Sequence, residues 1–422
     1  MKSLAWITKE TARTVQERFG TPTFLYCERL LLEQAQAALA FPNPFGLTVR
    51  YAMKACPNAA VVRLLSQAGL ALDASSGFEA WRAIRAGVDP GHIQITTQEL
   101  PEDLDELLQR GVLFNASSLH QLDRYGTLRP GDTVSIRINP GLGSGHSNRT
   151  NVGGPAASFG IWHEYLPQVL KLAAKHHLRI TGLHSHIGSG SDPAVWQRCA
   201  GLSLAIAARL PEVERVNLGG GFKVGRLPDE PSTDLQAAGA PVAAELERFA
   251  RERGRQLHLE IEPGTFLVAN AGALICAVTD VVDTGARGYR FVKVNTGMTE
   301  ILRPSLYGAQ HPIELIPLDT EARIVTEYVV VGHCCESGDL LTPGPGDPES
   351  LAPRLLTEAR IGDLLLIGGC GAYCAAMPAK NYNSFPEAAE VLQDCHGRLQ
   401  LVRHRQRLDQ ITANEILPDI LH

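Results

Sequence analysis

Between residues 47 and 262 the chain repeats one pattern: a short run of aliphatic and β-branched residues, then a longer stretch with apolar positions recurring every three to four residues. The first reads as a strand buried on both faces and the second as an amphipathic helix, so their alternation predicts parallel strands joined by crossover helices. Eight runs fit: LTVRYAM (47–53), LALD (70–73), HIQITT (92–97), VLFNA (112–116), TVSIRIN (133–139), RITGLHSHI (179–187), RVNLG (215–219) and LHLEIE (257–262). Eight βα units favour a TIM-type (β/α)8 barrel over an open sheet, because closure removes exposed edges. After Gly264 the helical intervals disappear, and LICAVTDVV, RFVKVN, ARIVTEYVVV, DLLLIGG and RLQLVRH predict a mostly antiparallel β domain. The Pro/Gly-rich LTPGPGDPES (341–350) reads as an exposed loop.

Composition narrows the function classes. At 422 residues and 44% hydrophobic, the chain can bury a large core in two domains. The net charge of −6 has no basic stripe behind it, which argues against nucleic acid or an anionic membrane surface as partner and for a small-molecule substrate. No segment approaches the roughly 20 apolar residues that span a bilayer, and MKSLAWITKE has no cleavable apolar leader, so a cytoplasmic protein is expected. Nine cysteines without CxxC spacing suggest reduced, mostly buried thiols and no metal site.

Chemistry-bearing residues gather where strands end, which is the face on which barrel enzymes place their sites. Lys54, Asp73, Asn139, His186, Gly219 to Gly221 and Glu262 all fall there. Lys54 in YAMKA, flanked by apolar residues, is expected in a partly desolvated site that would make its amine a Schiff-base former; a surface lysine at a strand end fits the same segment. NLGGGF offers backbone amides to a phosphate, or is simply a tight turn. Glu262 in EIEPG can pair with a protonated ring nitrogen, or with a neighbouring Arg or backbone amide. Of His184 and His186, one is expected to face the interior, where it can stack on a cofactor ring, and the other to pack beneath the helices. Ser189 in HIGSG adds an anion-binding turn. In HCCESGD, Cys335 sits in a turn-rich loop as a candidate proton donor, while Glu336 and Asp339 also read as a solvated acidic turn.

Taken in order, YAMKA, HIGSG, LGGGF, EPG, RPSLYGAQHPI (303–313), CESGD (335–339) and GAY (371–373) resemble the fold-type III pyridoxal-phosphate (PLP) decarboxylases along nearly the whole chain. Within them, GHSNRTNVGG (145–154) and NYNS (381–384) look most like the diaminopimelate decarboxylase branch. The resemblance implies a barrel over 31–270 and a β domain, of sandwich or Greek-key barrel type, built from 1–30 and 271–422. It implies PLP as cofactor, on Lys54 as a Schiff base, with His186 stacked on the ring, Glu262 at its nitrogen, Ser189 and Gly219, Gly220 and Gly221 at the phosphate, and Asp73, Gly264 and Tyr373 close by. It implies Arg303 and Tyr307 at the distal carboxylate of an amino-acid substrate, Glu336 at its distal ammonium, and Tyr373 also among the substrate-binding residues. Cys335 and Glu336 would come from the second chain of a homodimer with shared sites, and either Cys335 or Lys54 would return the proton. Three positions depart from the pattern: Thr265 stands where Arg usually follows EPG, Phe78 where glycine is usual, and Phe385 where Arg follows NYNS.

Overall fold

A computed structural model describes residues 4–142, 153–186 and 192–418. The chain divides into two compact units, Leu31–Gly225 with Pro231–Leu267, and Met1–Leu30 with Arg226–Glu230 and Val268–His422.

The first unit is a closed barrel. Its eight strands are β1 (Leu47–Ala52), β2 (Ala71–Ala74), β3 (Ile93–Ile95), β4 (Leu113–Ala116), β5 (Thr133–Asn139), β6 (Arg179–His184), β7 (Arg215–Asn217) and β8 (His258–Ile261). All neighbours pair in parallel, and β8 returns to β1 through Leu259 opposite Leu47, which closes the ring. The intervening helices begin where the sequence supplies caps: Asn58, Ser76, Ser118 and Asp234 each accept a bond from a first-turn amide. Strand residues such as Val49, Leu72, Ile95, Ile136, Leu183 and Leu259 are buried under those helices.

The alternate strand positions fill the barrel interior with polar groups. Arg50 on β1 reaches Glu260 on β8 with Nε and Nη2, each bond 3.0 Å, and both side chains are buried. The planar guanidinium fork suits such a pair, since two parallel bonds offset the cost of taking both ions from water. Asn217 on β7 and Asn115 on β4 continue this polar lining, with Asn115 donating to Thr96 at 3.2 Å. The barrel's chemistry therefore rests on a hydrogen-bonded floor.

The second unit is a mostly antiparallel sheet. Its spine is the 12-residue strand Gly272–Asp283, which pairs antiparallel with Thr23–Cys27, Arg290–Val294 and Leu364–Ile367. Thr23–Cys27 also pairs in parallel with Ala389–Gln393. Leu25, Ala273, Ile275, Leu364, Leu366 and Val391 form its core with Leu4, Ala12 and Val15 from the N-terminal segment. The segment 341–350 is not the exposed loop expected: Leu341 to Gly344 are buried, and Pro343–Gly344 pairs with Asp347–Leu351 as a hairpin. Its glycines serve a turn, with Gly346 at φ 73°.

Candidate active site

At the carboxyl ends of the barrel strands, Glu262 is the most completely positioned group. Asn217 donates to its Oε1 at 2.7 Å, and His184 Nε2 donates to its Oε2 at 3.1 Å. Burial alone would raise this carboxyl's pKa, but His184, with its bond and charge, and the Lys54 charge outweigh it, holding Glu262 well below the usual range. Just beyond, the turn at Pro263 and Gly264 folds onto β1: Ala52 donates to the Pro263 carbonyl at 3.2 Å, and Gly264 packs against Ala52 and Ala55. That packing sets Glu262 close enough to Lys54 for their charges to interact.

Both histidines of HSH face the interior, at successive heights. His184 holds Glu262, and His186 lies above it with Nδ1 accepting from the Gly220 amide at 2.9 Å. The expectation that one of them packs beneath the helices is corrected. Residues two apart on a strand share a face, and it is Ser185 that points outward to Ser203 at 2.7 Å. Crowding by protein, then Arg137 and Lys54, push His186 well below its ordinary pKa, so its ring is neutral.

The loop after β7 is shaped around that ring. Gly219 takes φ 72°, and a Cβ there would run into His186; a Cβ on Gly220 would collide with the Glu262 carbonyl. Gly221 also has positive φ. The three glycines thus let the loop close on His186 and Glu262, with the Gly219 amide donating to Asn217 Oδ1 at 2.8 Å and the Gly220 amide to His186.

Lys54 follows β1 in the tight turn Met53–Ala55, with Met53 and Ala55 buried. Its own side chain is exposed, which corrects the expected desolvated setting: the flanking apolar residues go into the core while the amine lines an open cavity of about 770 Å³. Ser76, Phe78, Thr96, Arg137 and Phe159 share that cavity. Phe78, 84% exposed, stands at its rim. Arg137 was missed from the sequence, although it shares the β5 face with Ser135 and Asn139; its guanidinium lies 5.1 Å from the Phe159 ring centroid. Asn139 itself serves the loops, bonding Gly141 and Gly154.

Asp73 ends β2 with Oδ1 buried and unbonded among the described residues. Burial and the Glu262 charge push its pKa up to about 8, against Lys54 and a bond from Thr96. The folded protein therefore holds a proton that the unfolded chain releases near pH 4, and stability falls as pH rises from about 4 to about 8. Asp73→Asn removes this dependence. The difference in unfolding temperature, variant minus wild type, is expected to grow between pH 5 and pH 9; a constant difference in a thermal-melt series would mean that Asp73 is ionised in the fold.

In the second unit, Arg303 and Tyr307 begin and end a one-turn helix, and Tyr373 adopts φ 56° in the 371–374 turn. Cys335 and Glu336 are exposed. The Cys335 amide donates to Asn383 at 2.8 Å, in a segment where Asn381, Asn383 and Ser384 all have positive φ. Asp339 is no solvated acid: it is buried and accepts from the amides of Met298 and Cys334, stapling the loop. Phe385 stacks on His333 with ring centroids 3.6 Å apart, giving this departure a packing role. Thr265 opens the short helix Thr265–Val268. Ser189 and most of GHSNRTNVGG lie outside the described residues.

An eight-stranded α/β barrel whose mouth joins a lysine to a clamped, ionised carboxylate, followed by a mostly antiparallel β domain, defines a class, and the comparisons agree with it. The family model "Pyridoxal-dependent decarboxylase, pyridoxal binding domain" matches residues 29–269, and the chain belongs to that family of PLP-dependent enzymes. It is 36% identical over 420 residues to the diaminopimelate decarboxylase of Escherichia coli strain K12, covering 97% of each chain. A crystal structure of diaminopimelate decarboxylase superposes with TM-score 0.90 at 34% identity, covering 98% of both chains. The Helicobacter pylori diaminopimelate decarboxylase complexed with L-lysine gives TM-score 0.82 at 25% identity, covering 95% of this chain and 98% of that one.

Proposed function

We propose that this protein decarboxylates meso-2,6-diaminopimelate to L-lysine and CO2, using pyridoxal phosphate held on Lys54. The observation that carries this reading is Glu262, buried, ionised and clamped by Asn217 and His184 beside Lys54. Such a carboxylate suits a cationic ring N–H, and the neutral His186 above it suits a flat aromatic face. The glycine loop 219–221 brings backbone without side chains against both groups, so the residues present fit the cofactor. When bound, PLP supplies an electron sink for the charge left on the substrate carbon as CO2 departs.

The protein's own groups have distinct tasks. Glu262 keeps a positive N–H in place, and His184 and Asn217 keep Glu262 from turning. Lys54 would hold the cofactor through its amine. Asp73 adds a neutral, protonated acid to the same wall, with Gly264 setting the turn beneath it. Arg303 and Tyr307 bind the carboxylate of the substrate's non-reacting end and Glu336 its ammonium, with Tyr373 also at the substrate. Cys335 and Glu336 serve the site of a second subunit, and Ser189 belongs with the phosphate loop.

Assay of CO2 release over meso-diaminopimelate, D-lysine, D-ornithine and their L forms tests the substrate. Turnover of meso-diaminopimelate with the others inert is expected. Thr265, which cannot imitate a bidentate guanidinium, favours the second reading, a D-amino acid without the distal carboxylate. Turnover of D-lysine or D-ornithine alone would establish that instead.

The shared site predicts complementation. Lys54→Ala and Cys335→Ala chains, each inactive, are expected to recover roughly a quarter of wild-type activity after full subunit exchange, since half the twofold dimers then carry one intact site. No recovery despite exchange shown by mass spectrometry would mean that each chain completes its own site.

A further inference from the structure

The second unit holds a concentration of positive charge that the reading above uses only in part. Arg303 Nε points to His311 Nε2 at 3.4 Å, and buried His311 donates from Nδ1 to the Gly368 carbonyl at 2.8 Å. That second bond puts the proton on Nδ1 and leaves Nε2 as acceptor. Burial, then Arg226 and Arg303, drive this imidazole well below its ordinary pKa, so it is neutral.

Arg226 arrives from the five-residue excursion Arg226–Glu230, which belongs to this unit although its neighbours in sequence belong to the barrel. It is only 9% exposed. Its Nε donates to the Gly369 carbonyl at 3.1 Å, and Nη2 has no hydrogen-bond partner among the described residues. Burial, then the Arg303 charge, lower its pKa to about 9. The anions within reach are weak. Cys370 and Cys374 are buried thiols, and the Glu230 carboxylate already accepts the amides of Arg226 and Leu227 at 2.8 and 3.3 Å. A buried guanidinium with an orphaned donor, repelled by a half-buried one, forms a site for an anion, and a carboxylate matches the fork geometry.

We propose that Arg226 is a specificity-determining residue that, with Arg303, binds the substrate's non-reacting carboxylate through the Nη2 donor left unpaired in the free protein. This rests on the reading that the substrate carries two amino-acid ends. L-lysine keeps the carboxylate in question and cadaverine lacks it, so the two serve as probes with the PLP-loaded enzyme.

In calorimetric titration, Arg226→Gln is expected to weaken L-lysine binding about ten- to hundredfold, the scale of one charge-assisted contact, and leave cadaverine binding unchanged. In turnover of meso-diaminopimelate, KM should rise by a similar factor while kcat stays within about twofold. Arg226→Lys keeps the charge without the fork and should fall between; it also decides the matter if Arg226→Gln does not fold. Unchanged L-lysine affinity, equal weakening of both probes, or a fall in kcat without a rise in KM would each overturn the proposal. If the wild type binds L-lysine through Arg226 yet does not turn over meso-diaminopimelate, the decarboxylation reading fails while the carboxylate site stands.

Discussion

Lys54→Ala is expected to leave a folded protein with turnover reduced by roughly four orders of magnitude or more, the scale seen when a covalent catalytic group is lost. The side chain is exposed while its neighbours Met53 and Ala55 are buried. Stability is expected to fall by only about 1 kcal/mol, the lost charge facing the buried Glu262 being the main cost. Lys54→Arg sharpens the test. It keeps a cation facing Glu262, Asp73 and Glu79, so a purely electrostatic role would survive, whereas an arginine forms no Schiff base with the cofactor. Both variants should be equally inactive in CO2 release. Borohydride reduction of the wild type followed by peptide mass spectrometry should find a cofactor-sized adduct on Lys54. More than a tenth of wild-type activity in Lys54→Arg would remove Lys54 from the chemistry.

The strand pattern was legible because parallel barrel strands are buried on both faces, so each stands out as an apolar run between helices. The eight runs and the eight strands coincide to within a few residues, and Lys54, Asp73 and Glu262 lie at the strand ends where they were sought. The polar interior was less visible. Arg50, Ser135, Arg137, Asn217 and Glu260 sit on alternate positions of strands that look apolar as a whole, and Arg50, Asn217 and Glu260 find one another across strands. The histidine pair shows the same limit. Period two puts His184 and His186 on one face, and attention to parity would have turned Ser185, not a histidine, toward the helices.

Other features depend on contacts between distant parts of the chain. Nothing in residues 226–230 says which unit they join, since that is decided by contacts such as Arg226 with Gly369, 143 positions away. Asp339 is read as solvated until the loop wraps two amides around it. Phe385 looks like an arbitrary departure until His333 is found against its ring. Lys54 was expected to be desolvated because its neighbours are apolar; those neighbours point into the core and leave the amine in the cavity.

Glu262→Gln is expected to lower kcat by about a hundred- to a thousandfold, comparable to removing one preorganised electrostatic group from an active site, at little cost in stability. The amide keeps the shape. Its carbonyl still accepts from Asn217, and its NH2 can donate to His184 Nε2 once the imidazole carries its proton on Nδ1, a nitrogen with no partner among the described residues. What the variant loses is charge, and a neutral amide cannot hold a cationic ring N–H. Because His184 and Lys54 hold the Glu262 carboxyl well below the usual range, it stays ionised throughout the working pH, and the defect should be constant from pH 6 to pH 9. Glu262→Ala should cost stability as well, about 1–3 kcal/mol for His184 Nε2 left without its partner, while Asn217 keeps Glu260 at 3.3 Å. The glutamine variant also reports on Asp73, whose raised pKa owes its second-largest contribution to the Glu262 charge. With that charge gone, Asp73 should ionise at lower pH, and the fall in stability between about pH 4 and about pH 8 should become shallower. A kcat within tenfold of wild type, in a variant whose melting profile shows this shift, would mean that Glu262 tunes its neighbours without bearing on the reaction.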